Sequence, residues 1–242
     1  KRRKARERNA RFVAEGVRAV EELLRSGLPI RGVLVTDELG TTDRGAALAA
    51  ALANAGVPPV TVSDDDFRSA AGTDAPQGVL AIADVPDRAI ASVAAAELGR
   101  VLVLDAVQDP GNVGSLIRTA AAMGVRTVVA LPGTADIWNA KVVRSAAGGH
   151  FHINVIRSDL TEFIGALAAA DVPLWGADAS GQPVGSVVAP RRFALAVGNE
   201  GGGLTAGVRA AASQLVALPM TPGVESLNVG VAAGILLYAL TT

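Results

Sequence analysis

The sequence alternates short apolar runs with longer segments in which apolar residues recur at helical spacing. VLVLDAV (101–107) is one such run, and the stretch 113–123, with three consecutive alanines, is one of the helical segments. A short apolar run bounded by turn residues is typical of a buried strand. Strands that alternate with helices favour an α/β fold built on a mainly parallel sheet.

The pattern predicts two α/β units. Strands are predicted at 32–36, 60–62, 79–83, 101–107, 127–131, 152–156, 174–177, 193–198 and 215–218. Helices are predicted at 12–26, 44–55, 64–71, 113–123, 137–147, 160–170, 204–212 and 226–240. An Ala-rich connection follows Val85. We therefore predict a basic arm over 1–11, a smaller domain over 12–85, a linker over 86–100 and a larger domain over 101–242.

Two residue types limit the possible chemistry. The chain has no cysteine, which excludes a disulfide scaffold, a thiolate zinc site and a cysteine nucleophile. His150 and His152 are its only imidazoles, so we predict no metal site and assign neither histidine a role.

The charge is unevenly distributed. The net charge is −1, yet the first eleven residues carry seven Lys or Arg against Glu7 alone. Such an arm can bind phosphate groups of RNA, and the alternative is a solvated terminus with no partner.

The most apolar segment, 226–240, is shorter than the roughly 20 residues that span a bilayer. It predicts a buried helix. No apolar segment typical of a signal peptide follows the basic residues, so no membrane association and a cytoplasmic protein are expected.

In an open parallel sheet, ligands bind at the carboxyl ends of the strands, and three loops there carry unusual residues. The first follows the strand at 101–107 and reads DPGNVGSLIRTAAAMG (109–124). Asn112 is a good helix cap. Arg118 is the one charge in the helix, where it binds an anion or extends to a surface carboxylate.

The second loop, LAVGNEGGGL (195–204), places four glycines around Asn199 and Glu200. Glycines let a ligand approach the backbone closely. The spacing matches neither the dinucleotide fingerprint nor a phosphate P-loop.

The third loop, LPMTPGVESLNVGVAAG (218–234), places Ser226 and Asn228 at the start of an uncharged helix. Helix capping accounts for one of these two polar residues. Two together indicate contacts with a ligand.

These three loops resemble the three signature motifs of the SpoU (TrmH-like) branch of the SPOUT methyltransferases. The matching segments are NVGSLIRTAAAMG, LAVGNEGGGL and LPMTPGVESLNVGVAAGILLYAL, within 101–240. The segment FVAEGVRAVEELLRSGLPIRGVLVTDEL resembles, less specifically, the family's N-terminal substrate-binding domain of ribosomal-protein L30e-like fold.

The resemblance implies a fold, a cofactor and a set of site residues. The implied fold contains a deep trefoil knot, and the implied assembly is a homodimer with the active site near the subunit interface. S-adenosylmethionine is the implied cofactor. Its implied contacts are Val197, Gly198, Asn199, Gly201, Leu218, Met220 and Leu227. The implied catalytic residues are Asn112, Arg118, Glu200, Ser226 and Asn228.

The implied reaction is methylation of a ribose 2′-hydroxyl in RNA, with 23S ribosomal RNA as the expected substrate. We expect Arg118 to clamp an RNA phosphate and the developing alkoxide, because a neutral arginine base is improbable. Glu200 is the nearest candidate for a carboxylate base. The alternatives are a transfer-RNA methyltransferase, an inactive RNA-binding homologue and a nucleotide-binding oxidoreductase. The absence of the dinucleotide-binding glycine fingerprint counts against the oxidoreductase.

Overall fold

The computed structural model describes residues 8–72, 76–221, 223 and 226–241. Most of the basic arm (1–7) and three residues of the third loop (Pro222, Val224 and Glu225) therefore lie outside the described residues. The described chain forms a four-stranded sheet followed by a six-stranded sheet.

The first sheet is mostly antiparallel. Its strands are β1 (Arg11–Glu15), β2 (Ile30–Val35), β3 (Val60–Thr61) and β4 (Val79–Asp84). They lie in the order β1-β4-β2-β3, with β4 antiparallel to both neighbours and β3 parallel to β2. Its helices are α1 (Val17–Ser26), α2 (Asp43–Asn54) and α3 (Asp64–Ala70).

The second sheet is entirely parallel, which confirms the predicted α/β class. Its strands are β5 (Arg100–Leu104), β6 (Thr127–Ala130), β7 (Asn154–Arg157), β8 (Leu174–Pro183), β9 (Phe193–Val197) and β10 (Gln214–Ala217). They lie in the order β10-β8-β9-β5-β6-β7. Its helices are α4 (Pro110–Ala122), α5 (Ala140–Ser145), α6 (Leu160–Ala169), α7 (Ala206–Ala211) and α8 (Val229–Thr241).

One predicted helix begins too early. Residues 11–15, assigned mostly to the helix at 12–26, form strand β1, in which Phe12 and Ala14 are buried. Gly16 has a φ of +97°, which separates the strand from helix α1. The strand forms because it pairs with β4, a partner almost 70 residues away that local periodicity does not reveal.

Other predicted boundaries shift where side chains cap helices. Helix α5 begins at Ala140 rather than 137, because the Asn139 side chain accepts a hydrogen bond from the Lys141 amide. Helix α8 begins at Val229 rather than 226, because the Asn228 side chain accepts one from the Gly230 amide at 2.9 Å. Among the described residues, no helix is long and apolar enough to cross a membrane.

The two sheets share a buried aromatic cluster. The Phe12 and Trp138 rings lie 4.6 Å apart, and the Trp138 and His150 rings lie 4.9 Å apart. His150 is buried, and its Nε2 donates to the Ile137 carbonyl at 2.7 Å. Its Nδ1 has no hydrogen-bond partner among the described residues. Burial lowers the pKa of His150 to about 4, although the Ile137 hydrogen bond opposes that shift.

We expect the folded protein to lose about 3 kcal/mol of stability between pH 6.5 and 4 through His150 alone. In this window the unfolded chain binds the proton and the folded chain does not, so the free energy of unfolding falls as pH falls. In denaturant unfolding measured between pH 6.5 and 4, the free energy of unfolding of His150→Gln should depend less steeply on pH than that of wild type. Identical slopes in wild type and His150→Gln would contradict this assignment.

Candidate functional site

A cavity of about 520 Å³ opens at the carboxyl ends of strands β8, β9 and β10. Helix α8 closes one side through Val229, Ala232 and Leu236. Both the position and the volume are typical of a small-molecule site in an α/β fold.

The second and third loops form much of the cavity wall. The predicted cofactor residues on that wall are Val197, Gly198, Asn199, Leu218, Met220 and Leu227. Gly201 belongs to the same loop but is not among the described residues that line the cavity. Its amide donates a hydrogen bond to the Asn199 side chain at 2.9 Å, so Gly201 contributes to the conformation of the loop rather than to the cavity wall.

Asn199 organises the glycine-rich loop. Its Oδ1 accepts from the amides of Gly201 and Gly202 at 2.9 and 3.0 Å, and its Nδ2 donates to the Ala106 carbonyl at 3.1 Å. Its backbone pairs with Gly203 in both directions. The loop therefore folds back on itself and is tied to the end of the neighbouring strand β5.

Gly198 is required by this close packing. A Cβ at Gly198 would lie 2.2 to 2.4 Å from backbone atoms of Gly203 and Leu204. These are main-chain atoms of the same turn, so no side-chain movement could relieve the collision.

Three predicted catalytic residues, one from each loop, form a hydrogen-bonded chain. The Asn112 Nδ2 donates to the Glu200 carboxylate at 2.8 Å. The Asn228 Nδ2 donates to the Asn112 Oδ1 at 2.9 Å. Glu200 lines the cavity, so this chain of three side chains ends with a carboxylate at the cavity wall.

Asn112 itself is not the helix cap that the sequence predicts. Asp109 caps α4, its carboxylate accepting from the Asn112 amide at 2.9 Å. That hydrogen bond and the nearby Lys141 lower the pKa of Asp109, against the effect of its partial burial. The side chain of Asn112 is thereby left available for Glu200 and Asn228.

The remaining two predicted catalytic residues are placed differently from each other. Ser226 lines the cavity. Arg118 lies on the exposed face of α4 and is not among the described residues that line the cavity. It lies six positions after Asn112, roughly 9 Å along the helix axis. Within the described chain its guanidinium has no hydrogen bond or ion pair.

Asp178 is a cavity residue that the sequence pattern did not indicate. It lies directly after the part of β8 that pairs with β9. An acidic residue at the carboxyl end of an apolar strand was the available signal, but a single acid there is weak evidence.

The chain is similar to known proteins in sequence and in fold. The SpoU rRNA Methylase family matches residues 99–238, and the MRM3-like substrate binding domain matches residues 1–81. A 23S rRNA (guanosine(2553)-2′-O)-methyltransferase, RlmP of Bacillus subtilis, is 38% identical over 98% of this chain and 91% of its own.

Two solved structures resemble the fold over 99% of this chain. The AdoMet-bound rRNA methyltransferase from Sinorhizobium meliloti has a TM-score of 0.87 at 26% identity, with 90% of its chain covered. The SpoU methyltransferase AviRb from Streptomyces viridochromogenes, in complex with AdoMet, has a TM-score of 0.85 at 27% identity, with 93% covered.

Proposed function

The chain belongs to the SpoU rRNA methylase family, and we propose that it transfers a methyl group from S-adenosylmethionine to a ribose 2′-hydroxyl of 23S ribosomal RNA. The observation that carries this proposal is the hydrogen-bonded set of side chains formed by Asn112, Glu200 and Asn228. It joins three sequence motifs at the edge of a glycine-walled cavity.

The cavity residues fit the proposed cofactor. The cavity volume of about 520 Å³ is in the range of sites that bind small molecules. The cavity wall combines the backbone of Gly198 with the apolar side chains of Leu218 and Leu227. Gly198 lines the cavity and has no side chain, so only its main-chain groups can meet the ligand. We assign Val197, Gly198, Asn199, Leu218, Met220 and Leu227 to cofactor binding, and Gly201 to shaping the loop.

When bound, S-adenosylmethionine supplies a methyl group already activated by the sulfonium charge. The protein must then align the ribose oxygen and remove its proton. Glu200 is the described carboxylate that both lines the cavity and is held in place by Asn112. We assign it as the proton acceptor, with Ser226 and Asn228 orienting the ribose.

A second copy of the chain completes the proposed site. Three large side chains on α8 are exposed, namely Val231 (52%), Ile235 (46%) and Tyr238 (61%). Adjacent apolar exposure of this kind marks an interaction surface. Arg118 lies on α4, the helix against which α8 packs. A Cβ placed on Gly234 of α8 would lie 3.4 Å from the side chain of Thr119, the residue after Arg118. In the proposed homodimer, Arg118 therefore sits at the interface, where it binds RNA and steadies the developing alkoxide in the partner's cavity.

Basic groups between the two sheets extend the proposed RNA surface. Arg18 and Arg144 line a cleft of about 240 Å³, where the Arg144 Nη1 lies 3.6 Å from the Glu15 carboxylate. Lys141, one turn before Arg144, lies 3.6 Å from Asp109 at the start of α4. We assign phosphate binding to these three basic residues and to the arm at 1–11. We assign substrate recognition to the domain at 12–85.

Three further assignments rest on family membership. The linker at 86–100 separates the substrate domain from the methyltransferase domain at 101–242. The proposed trefoil knot involves α8, which lines the cavity through Val229, Ala232 and Leu236. The protein acts in the cytoplasm, where ribosomal RNA is modified.

A methyl-transfer assay tests the function. Purified protein with tritiated S-adenosylmethionine should label unmodified 23S ribosomal RNA, and mapping should place the label on one 2′-oxygen. Label in transfer RNA alone would favour the alternative substrate. Binding of RNA and cofactor with no transfer to either RNA would identify an inactive homologue.

A further inference from the structure

Strand β8 leaves the sheet beside the cofactor cavity. Leu215 on β10 pairs with Gly176, but its neighbour Val216 pairs with Gln182. Residues 177–181 of β8 therefore bulge out of the β10–β8 ladder. The cavity wall includes four of them, Ala177, Asp178, Ala179 and Gly181.

This segment, which we call the β8 bulge (residues 177–181), has little apolar anchorage. Its sequence is Ala-Asp-Ala-Ser-Gly, so no large apolar side chain can fix it in the core. Its conformation must therefore depend on polar contacts, both within the bulge and to other parts of the chain.

Asp178 provides those contacts. Its Oδ1 accepts from the Ser180 amide at 2.9 Å and from the Ser180 hydroxyl at 2.7 Å, which closes a turn within the bulge. Its Oδ2 accepts from the Arg209 Nη2. The Arg209 Nη1 also donates to the Ser180 hydroxyl oxygen at 3.3 Å.

The pair is charged although Asp178 is largely buried. Only 13% of the Asp178 side chain is exposed, against 44% for Arg209. Desolvation by burial acts to raise the pKa of Asp178, yet the Ser180 hydrogen bonds and the Arg209 charge lower it overall. The carboxylate therefore stays ionised and binds Arg209 through a charge-assisted hydrogen bond.

We infer that Arg209 is a positioning residue for the methyl donor, acting through Asp178 and Ser180 to hold the β8 bulge in the shape that the cavity requires. Arg209 comes from α7 and is not among the described residues that line the cavity, so its effect is indirect. A preformed wall spares the ligand the cost of ordering it. This inference rests on the proposed function, since it takes the cavity to be the donor site.

Calorimetric titration of S-adenosylmethionine into Arg209→Ala, Arg209→Lys and wild type tests the inference. We expect Kd to rise about tenfold in Arg209→Ala and about threefold in Arg209→Lys, because lysine can pair with Asp178 but lacks the fork that also reaches Ser180. At saturating donor, kcat and the KM for RNA should stay within about twofold of wild type, because a preformed wall affects donor binding rather than chemistry.

Two further variants sharpen the result. Arg192→Ala is the control, because Arg192 donates a tertiary hydrogen bond to the Ala95 carbonyl and is not among the described residues that line the cavity. It should bind the donor as wild type does. Ser180→Ala removes the hydroxyl that bonds to Asp178 and to Arg209, but it keeps the Arg209–Asp178 pair. It therefore tests the inference even if Arg209→Ala does not fold. A rise of about threefold in Kd is expected there.

The product, S-adenosylhomocysteine, separates positioning from charge. A positioning role weakens donor and product to the same degree, since both need the same wall. An unchanged donor Kd in Arg209→Ala and Ser180→Ala, an effect on the charged donor alone, or a fall in kcat at saturation would each overturn the inference. If wild type itself binds no donor, it is the proposed function that fails.

Discussion

Gly198→Ala should weaken binding of S-adenosylmethionine and lower the rate of methyl transfer by about a hundredfold or more, because a displacement of about 1 Å at an active site is enough for a loss of that size in rate. The new Cβ would lie 2.2 Å from the Gly203 carbonyl carbon and 2.4 Å from the Leu204 amide nitrogen. The loop can accept it only by opening, which moves the backbone that we assign to cofactor binding. Methyl transfer should fall in parallel, as measured by calorimetry and by the tritium assay.

Gly202→Ala is the control within the same loop. A Cβ there would meet only the Asn199 Oδ1, at 3.7 Å, an ordinary contact. Donor binding should therefore be close to wild type. Circular dichroism would establish that both variants fold. A folded Gly198→Ala protein that bound the donor normally would place the cofactor elsewhere.

The periodicity of the sequence was sufficient for the central strands β5, β6 and β9 of the second sheet, because they are buried on both faces. Strand β8, predicted at 174–177, continues to Pro183 through residues that are mostly exposed or half-buried. Strands such as β9, buried at every position, read as continuous apolar runs. Strand β1 is different, since it lies at the edge of the first sheet and is followed at once by a helix. Its identity depends on pairing with β4, which is a tertiary property.

The candidate site was predictable to the extent that its residues follow parallel strands. Such strands bring their carboxyl ends to one edge, so the loops carrying Asn112, Glu200 and Asn228 had to converge. The contact between Asp178 and Arg209 follows from no local pattern, because it depends on how far β8 bulges from β10. The partner of Arg118 could not be predicted either. The helix pattern indicates which face of α4 is buried in its own chain, but not whether a second chain covers the exposed face that carries Arg118.

Arg118→Ala should lower kcat by about 10²- to 10³-fold, the usual loss when one group that stabilises a developing oxyanion is removed. Donor binding should be unchanged, because Arg118 is not among the described residues that line the cavity. Arg126→Ala is the matched control, at another exposed arginine. A loss of donor affinity in Arg118→Ala would instead make Arg118 part of the cofactor pocket.

Mixing the two inactive variants decides whether Arg118 acts across the dimer interface. If each site combines the cavity of one protomer with Arg118 of its partner, a heterodimer of Gly198→Ala and Arg118→Ala regains one intact site. After co-expression, random pairing should then restore about a quarter of wild-type activity. If Arg118 serves its own cavity, every site carries a lesion and the mixture stays inactive. Such an inactive mixture, in protein shown to be dimeric, would refute the shared site while leaving the cofactor assignment at Gly198 intact.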